Sequence, residues 1–403
     1  MKAKSFRPHV GIFGKTNVGK SSFINKITNQ EVSIVSEYEG TTTDPVYKTI
    51  EMEAIGPVVL IDTAGLNDKG KLGEKREEGT RAILNKIDVA ILIIENNQLD
   101  LTDEKIMNYF KEHEIDFLCI HNKSDVVPLR QEIRDYISST FKIEVLEFSC
   151  FSSKEEEVKN LIKILKEIIP DSALRDTSLL GNLVENSDHV LLVAPQDTEA
   201  PSGRLILPQV QVIRDALDKN CIVTILKESE LEDYFKRYYP KPKLVITDSQ
   251  VFSKVNSIIP LDIPLTSFSI LLAKLKGDFI KYVEGTYKIS NLKDNDNVLI
   301  LESCSHHVTK DDIGRFKIPR WITNYTGKKL NFDVVASFDN LPQKLNNYNL
   351  VIQCGGCMMT KKQIRNKILP AIRLNIPVTN YGMAIAYTHN IFQRAISPLL
   401  QVN

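Results

Sequence analysis

No apolar run in this sequence approaches the roughly 18 residues that a helix needs to cross a bilayer. The longest, such as HVLLVAP and NVLILES, are far shorter. Cysteine is scarce: six in 403 residues, at positions 119, 150, 221, 304, 354 and 357. That is too sparse for a disulfide scaffold and suits a reducing compartment. Net charge is absent too, with 51 Lys+Arg against 51 Asp+Glu, which excludes a strongly basic nucleic-acid footprint over the whole chain, though not a local patch. There is no internal repeat or low-complexity segment. The N-terminal MKAKSFRPHVGIFG is basic but passes directly into a strand pattern, without an apolar signal core or small-residue cleavage site. The expectation is a cytoplasmic protein with no membrane or nucleic-acid partner.

What is present is ordinary globular material, 42% hydrophobic and 25% charged, in a length that predicts two or three domains. Residues 8–170 alternate β-rich runs (HVGIFG, VVLIDTAG, VAILIIE, FLCIHN, VLEFSC) with helical patterns. This predicts an α/β domain with a parallel sheet and helices on both faces over 1–170. Pro170-Asp171-Ser172 stops the last helix, and 171–186 reads as a linker. Two smaller α/β domains are expected after it, 187–265 and 266–403. The first is short and modestly apolar, so a second copy of the chain is expected to help stabilise it. Apolar positions at 268, 272, 275, 279, 283 and 287 predict one long amphipathic helix.

Gly14-Lys15-Thr16-Asn17-Val18-Gly19-Lys20-Ser21, followed by Ser22, lies between a strand pattern and a helix pattern. That is the setting of a phosphate-binding loop. Glycines let backbone N–H groups converge on anionic oxygens, and the helix N-terminus adds favourable potential. Lys20 is then the counter-ion of the β- and γ-phosphates, and Ser21 a magnesium ligand. Asp62-Thr63-Ala64-Gly65 ends an apolar strand, where Asp62 can hold magnesium through water and Gly65 can meet the γ-phosphate. Asn122-Lys123-Ser124-Asp125 ends another strand. A carboxylate there accepts from both the ring N–H and the exocyclic amine of guanine, a donor pair adenine lacks, so GTP is favoured over ATP. Ser149-Cys150 closes a further strand, where backbone N–H groups can meet the guanine oxygen.

This set, in this order, resembles the small-GTPase-like superfamily. By resemblance to members with a GTTRD-type switch, Thr42 in Gly40-Thr41-Thr42-Thr43-Asp44 is the best γ-phosphate and magnesium ligand, with Thr41 and Thr43 as near alternatives. Leu66 stands where Ras-like proteins carry the water-orienting glutamine. Asn17 occupies the place where potassium-activated GTPases carry an amide that ligates the monovalent ion; the plainer alternative is a turn residue. Turnover is expected to be slow.

Cys304-Ser305-His306 and Cys354-Gly355-Gly356-Cys357 each follow an apolar strand pattern, and strand ends are where α/β sheets place ligands. Three thiolates suit a 4Fe–4S cluster with one iron left open, or a zinc site completed by histidine. His306, beside His307, is the candidate histidine; an inert Cys-x-x-Cys turn is the plain alternative. A GTPase domain, a middle α/β domain and a terminal domain with Cys-x-His, 47 further residues and Cys-x-x-Cys resembles the HydF family, the scaffold GTPases of FeFe-hydrogenase maturation, over essentially the whole chain. That family's motif carries a second histidine where this sequence has Gln353. The resemblance implies a homodimer that dimerises through the middle domain and holds a 4Fe–4S cluster. It also implies cargo: a di-iron precursor received from radical-SAM maturases and passed to apo-FeFe-hydrogenase. The rival readings are a potassium-activated GTPase of RNA modification or ribosome assembly with structural zinc, and an electron-transfer enzyme, which normally supplies four cysteines.

Overall fold

The apolar runs of the N-terminal region become neighbouring strands. β1 (His9–Gly14), β2 (Val46–Met52), β3 (Gly56–Asp62), β4 (Val89–Glu95), β5 (Asp116–Asn122) and β6 (Val145–Glu147) form a sheet of order β2-β3-β1-β4-β5-β6. All neighbours are parallel except β2, which pairs antiparallel with β3, Val46 opposite Asp62. Alternate strand residues face opposite layers. Val10, Ile12 and Ile91 pack on Phe23, Ile24 and Ile27 of α1 (Lys20–Thr28). Phe13, Ile61 and Leu92 pack on Ile106, Met107 and Phe110 of α2 (Leu101–Glu112). α3 (Gln131–Phe141) adds Ile137 and Phe141 to that second layer, and α4 (Glu155–Ile168) adds Leu161 and Leu165 to the first. Burial on both faces is why these strands read as continuous apolar runs.

The computed structural model describes residues 6–29, 46–63, 83–174, 178–195, 205–237, 241–303, 312–336, 341–342 and 344–400. Backbone contacts group the chain into residues 1–176 and 177–403. The expected linker holds a short helix, α5 (Asp171–Leu174), and then Leu179, Leu180 and Val184, which are buried in the core of the second unit.

That second unit contains two fully parallel four-stranded sheets. β7 (His189–Val193), β8 (Ile222–Leu226), β9 (Leu244–Thr247) and β10 (Leu265–Ser267) run in the order β10-β9-β7-β8. β11 (Asn297–Leu301), β12 (Asn331–Val335), β13 (Leu350–Gln353) and β14 (Val378–Asn380) run in the order β12-β11-β13-β14. The helices are α6 (Leu207–Asp218), α7 (Leu231–Arg237), α8 (Phe252–Ile258), α9 (Phe268–Lys276), α10 (Phe279–Thr286), α11 (Ile318–Thr326), α12 (Lys361–Arg373), α13 (Tyr381–Thr388) and α14 (Phe392–Leu400). Leu191 and Ile246 of the first sheet, Phe268 and Leu271 of α9, and Leu299, Val351 and Val378 of the second sheet lie in one buried cluster. The other face of the second sheet, Val298, Ile300, Leu350 and Ile352, packs on Ile318 and Ile322 of α11 and Ala384 and Ile385 of α13.

The long helix expected over 268–287 is two helices. Gly277 is extended (φ −99°, ψ −168°), and the Asp278 carboxylate accepts from the Lys281 N–H at 3.1 Å, capping α10. Helical spacing continues across the break because both helices bury one face against the same core, so periodicity does not reveal it.

Candidate functional site

The loop between β1 and α1 is shaped by its own glycines and by one buried amide. Gly19 caps α1 in the left-handed region (φ 91°), and a Cβ there would lie 2.4 Å from Asn122 Nδ2. Glycine is required on both counts. Asn122, fully buried, donates from Nδ2 to the Val18 carbonyl at 2.8 Å; its Oδ1 accepts from the Cys150 N–H at 3.4 Å. Lys123 Nζ donates to the Asn17 carbonyl at 3.0 Å. Asn122 and Lys123 therefore tie the phosphate loop to the strand end that carries Asp125, whose side chain is exposed.

Lys20 Nζ donates to the carbonyls of Gly14 (3.0 Å) and Lys15 (2.9 Å). Burial lowers its pKa, opposed by Asp62. Burial pushes the Asp62 carboxyl up to about 6 against the pull of Lys20 and the Thr63 N–H. Asp62 Oδ1 is buried with no hydrogen-bond partner among the described residues. An orphaned carboxylate oxygen at a strand end, facing a loop lysine, fits a magnesium-bound nucleotide phosphate. Thr63 is fixed beside it, its hydroxyl donating to the Ile12 carbonyl at 2.7 Å. Thr16, Asn17, Ser21 and Ser22 are exposed around the loop, Asn17 in the left-handed region (φ 68°), and Val18 is buried beneath it.

One partnership here had no signal in sequence. Lys15 pairs with Asp100 and Asp103, both at 2.8 Å, so its side chain braces the loop against the start of α2; only its backbone is left for phosphate. The spacing Asp100-x-x-Asp103 does signal a capping box, which forms. At the opposite rim, the N–H groups of Phe151 and Ser152 donate to Ser149 Oγ at 3.2 and 3.0 Å, while that of Cys150 goes to Asn122. The Ser149 N–H donates to Ser153 Oγ at 3.1 Å, so the guanine-oxygen contact expected of Ser149-Cys150 needs that bond or the one from Cys150 to be released. Thr41, Thr42, Thr43, Gly65 and Leu66 lie outside the described residues.

The second constellation stands at the carboxyl ends of β11 and β13, where Leu301 pairs with Gln353. The Cys354 N–H donates to the Leu301 carbonyl at 2.9 Å. Gly356 is left-handed (φ 63°), and a Cβ there would meet Ile364 Cδ1 at 2.1 Å. The turn is thereby folded tightly onto α12. Burial raises the Cys354 thiol, opposed first by a bond from Ser303; Cys357 is raised by burial and by Cys354, and held back by Lys276. Gln353 is fully buried and its Nε2 donates to Ser303 Oγ at 2.9 Å, so its amide orients the residue before Cys304. Lys276, the last residue of α9, is 2% exposed and donates to the carbonyls of Gly356 (3.0 Å), Cys357 (3.3 Å) and Met359 (2.8 Å). Cys304, His306 and His307 lie outside the described residues, and among the described residues no three His, Cys, Asp or Glu side chains form a metal-holding group. The two thiols fit a thiolate-held centre by their chemistry: they share one tight turn, beside an ammonium, with Ser303 bonding to one sulfur.

Comparison with known families decides the lineage. Residues 179–277 match the hydrogen maturase F dimerization domain, and residues 280–398 match the hydrogen maturase F tetramerization domain, together more than half of the chain. The chain belongs to the hydrogen maturase F family. Residues 9–123 match the 50S ribosome-binding GTPase family, so the hydrogen maturase F chain opens with a GTPase domain, which uses GTP with magnesium. Its two family-specific domains mark it as self-associating.

Among curated relatives, GTPase Der of Clostridium perfringens (strain SM101) is 41% identical over 123 residues, 29% of this chain and 28% of the relative. GTPase Der of Clostridium botulinum (strain Langeland) is 36% identical over 144 residues, 34% and 33% of the two chains. The chain thus spans a third or less of the length of these relatives. Among solved structures, a point variant of Era from Aquifex aeolicus bound to GDP.AlF4- has a TM-score of 0.35 at 18% identity, covering 57% of this chain and 97% of that one. A probable GTP-binding protein engB has a TM-score of 0.33 at 19% identity, covering 40% and 98%. Among the described residues no helix is long and apolar enough to cross a membrane.

Proposed function

We propose that this hydrogen maturase F chain is a slow GTPase and a scaffold that holds a 4Fe–4S cluster through Cys304, Cys354 and Cys357, leaving one iron open. The cargo is the di-iron precursor of FeFe-hydrogenase, taken from radical-SAM maturases and delivered to the apo-enzyme. The observation that carries the reading is the thiol turn itself: Cys354 and Cys357 at one strand end, with Ser303, the residue before Cys304 in sequence, bonded to Cys354 from the neighbouring strand end. When bound, the cluster supplies an iron with an exchangeable position. The chain's own residues hold and orient: the glycine turn brings the thiols together, Ser303 and Lys276 fix them, and Gln353 fixes Ser303.

In the GTPase domain, Lys20 offsets phosphate charge, Ser21 and Thr42 ligate magnesium with Asp62 behind them, Gly65 meets the γ-phosphate, and Asp125 reads guanine. Asn17, exposed at the loop corner, is proposed to ligate potassium, whose charge takes the place of an arginine finger. Residues 187–265 are proposed to form the homodimer contact in the cytoplasm. Anaerobic reconstitution with iron and sulfide tests the central claim. About four irons per chain with a 4Fe–4S absorption and EPR signature supports it; tight zinc with no iron uptake sinks it.

A further inference from the structure

Lysines are seldom fully buried, because removing an ammonium from water is costly unless the site needs its charge or its donors. Lys276 is the lysine that the described residues bury almost completely. Its placement is specific. It ends α9, where a cation also suits the helix C-terminus, and it donates to three carbonyls of a single loop, residues 356–359. An ammonium can donate several bonds at once, so one side chain holds three carbonyls of this loop. The loop is the one that carries both thiols, Cys354 and Cys357.

We infer that Lys276 is the positioning residue of the thiol turn and the cation placed to balance an anionic, thiolate-held centre. The inference rests on the cluster reading above and goes beyond it by naming a residue, distant in sequence, that sets the centre's retention and redox poise. Charge and hydrogen bonding next to the sulfurs are what tune such centres. A neutral residue at 276 therefore makes the reduced, more negative form of the cluster harder to reach.

Two full-length variants separate the roles. Lys276→Met removes donors and charge; Lys276→Gln removes the charge and keeps N–H donors. After anaerobic reconstitution, chelator challenge reads iron retention, EPR-monitored titration reads the midpoint potential, and amide exchange of residues 354–360 reads the order of the turn. For Lys276→Met the expected results are faster exchange, about tenfold weaker iron retention and a more negative midpoint. For Lys276→Gln the exchange stays close to wild type while the midpoint still moves negative. Variants that fold, by circular dichroism, and match the wild type in retention and midpoint overturn the inference. It is also overturned if neither variant folds, since the position is then a core residue only. A wild-type chain that takes up no iron breaks the cluster reading instead, and amide exchange of the unloaded variants still tests the clamp.

Discussion

Lys20 and Lys276 both aim an ammonium at carbonyls of a glycine-containing turn beyond a parallel strand, yet they reach their turns from opposite kinds of distance. Lys20 comes from the helix that continues the loop and bonds to residues five and six positions back. Lys276 comes from a different helix and bonds to residues 80 to 83 positions ahead. Lys20 is only partly buried and has exposed Ser21 and Ser22 beside it; Lys276 is sealed. The first arrangement suits a ligand that arrives and leaves, because the lysine can trade loop carbonyls for phosphate oxygens without repacking a core. The second suits a ligand that stays.

The largest effect that can break this contrast is at the thiols. Cys304→Ser, Cys354→Ser and Cys357→Ser each reduce iron and sulfide after reconstitution to near background, measured colorimetrically, whereas His306→Ala keeps most of the iron and changes mainly the EPR signal. GTP turnover is retained in all four, because the nucleotide residues belong to the other unit; a parallel loss of turnover would show that the two regions do not work separately. Next in size, Lys20→Ala weakens binding of a GTP analogue by about 3 kcal/mol, on the order of a hundredfold in Kd by calorimetry. An unchanged Kd would mean that Lys20 stays on its carbonyls with nucleotide bound. Asp125→Asn takes away about 2 kcal/mol of guanine preference, read by competition between GTP and ATP. Smallest is the choice of salt: GTP turnover is several-fold faster in potassium than in sodium, and equal rates remove Asn17 from the machinery.

The same contrast explains what was legible. The phosphate loop, the strand end at Asp62 and the Asn122-Lys123-Ser124-Asp125 segment stand out in sequence because each role proposed there is written within one strand–loop–helix passage, so spacing alone suggests the chemistry. The Cys354-Gly355-Gly356-Cys357 turn was visible for the same reason. Lys276 was not, since in sequence it is one more polar residue closing an apolar helix. Nor were the brace from Lys15 to Asp100 and Asp103, or the bond from Gln353 to Ser303; each joins residues from separate elements. β2 leaves no apolar run in the sequence because only Ile50 and Met52 of its seven residues are buried. The break at Gly277 was hidden by two helices that share one buried face.

That shared face has a thermodynamic consequence. Leu191, Ile246, Phe268, Leu299 and Val351 belong to one cluster, so the two four-stranded sheets of residues 177–403 share a core and are expected to unfold together, although family boundaries fall near residue 278 between them. Their melting is coupled: calorimetric and van't Hoff enthalpies for this half of the chain should agree as for a single cooperative step. Cutting the chain between the sheets leaves each with an exposed apolar wall, so loosening the β7–β10 sheet also lowers the free energy needed to open the thiol turn.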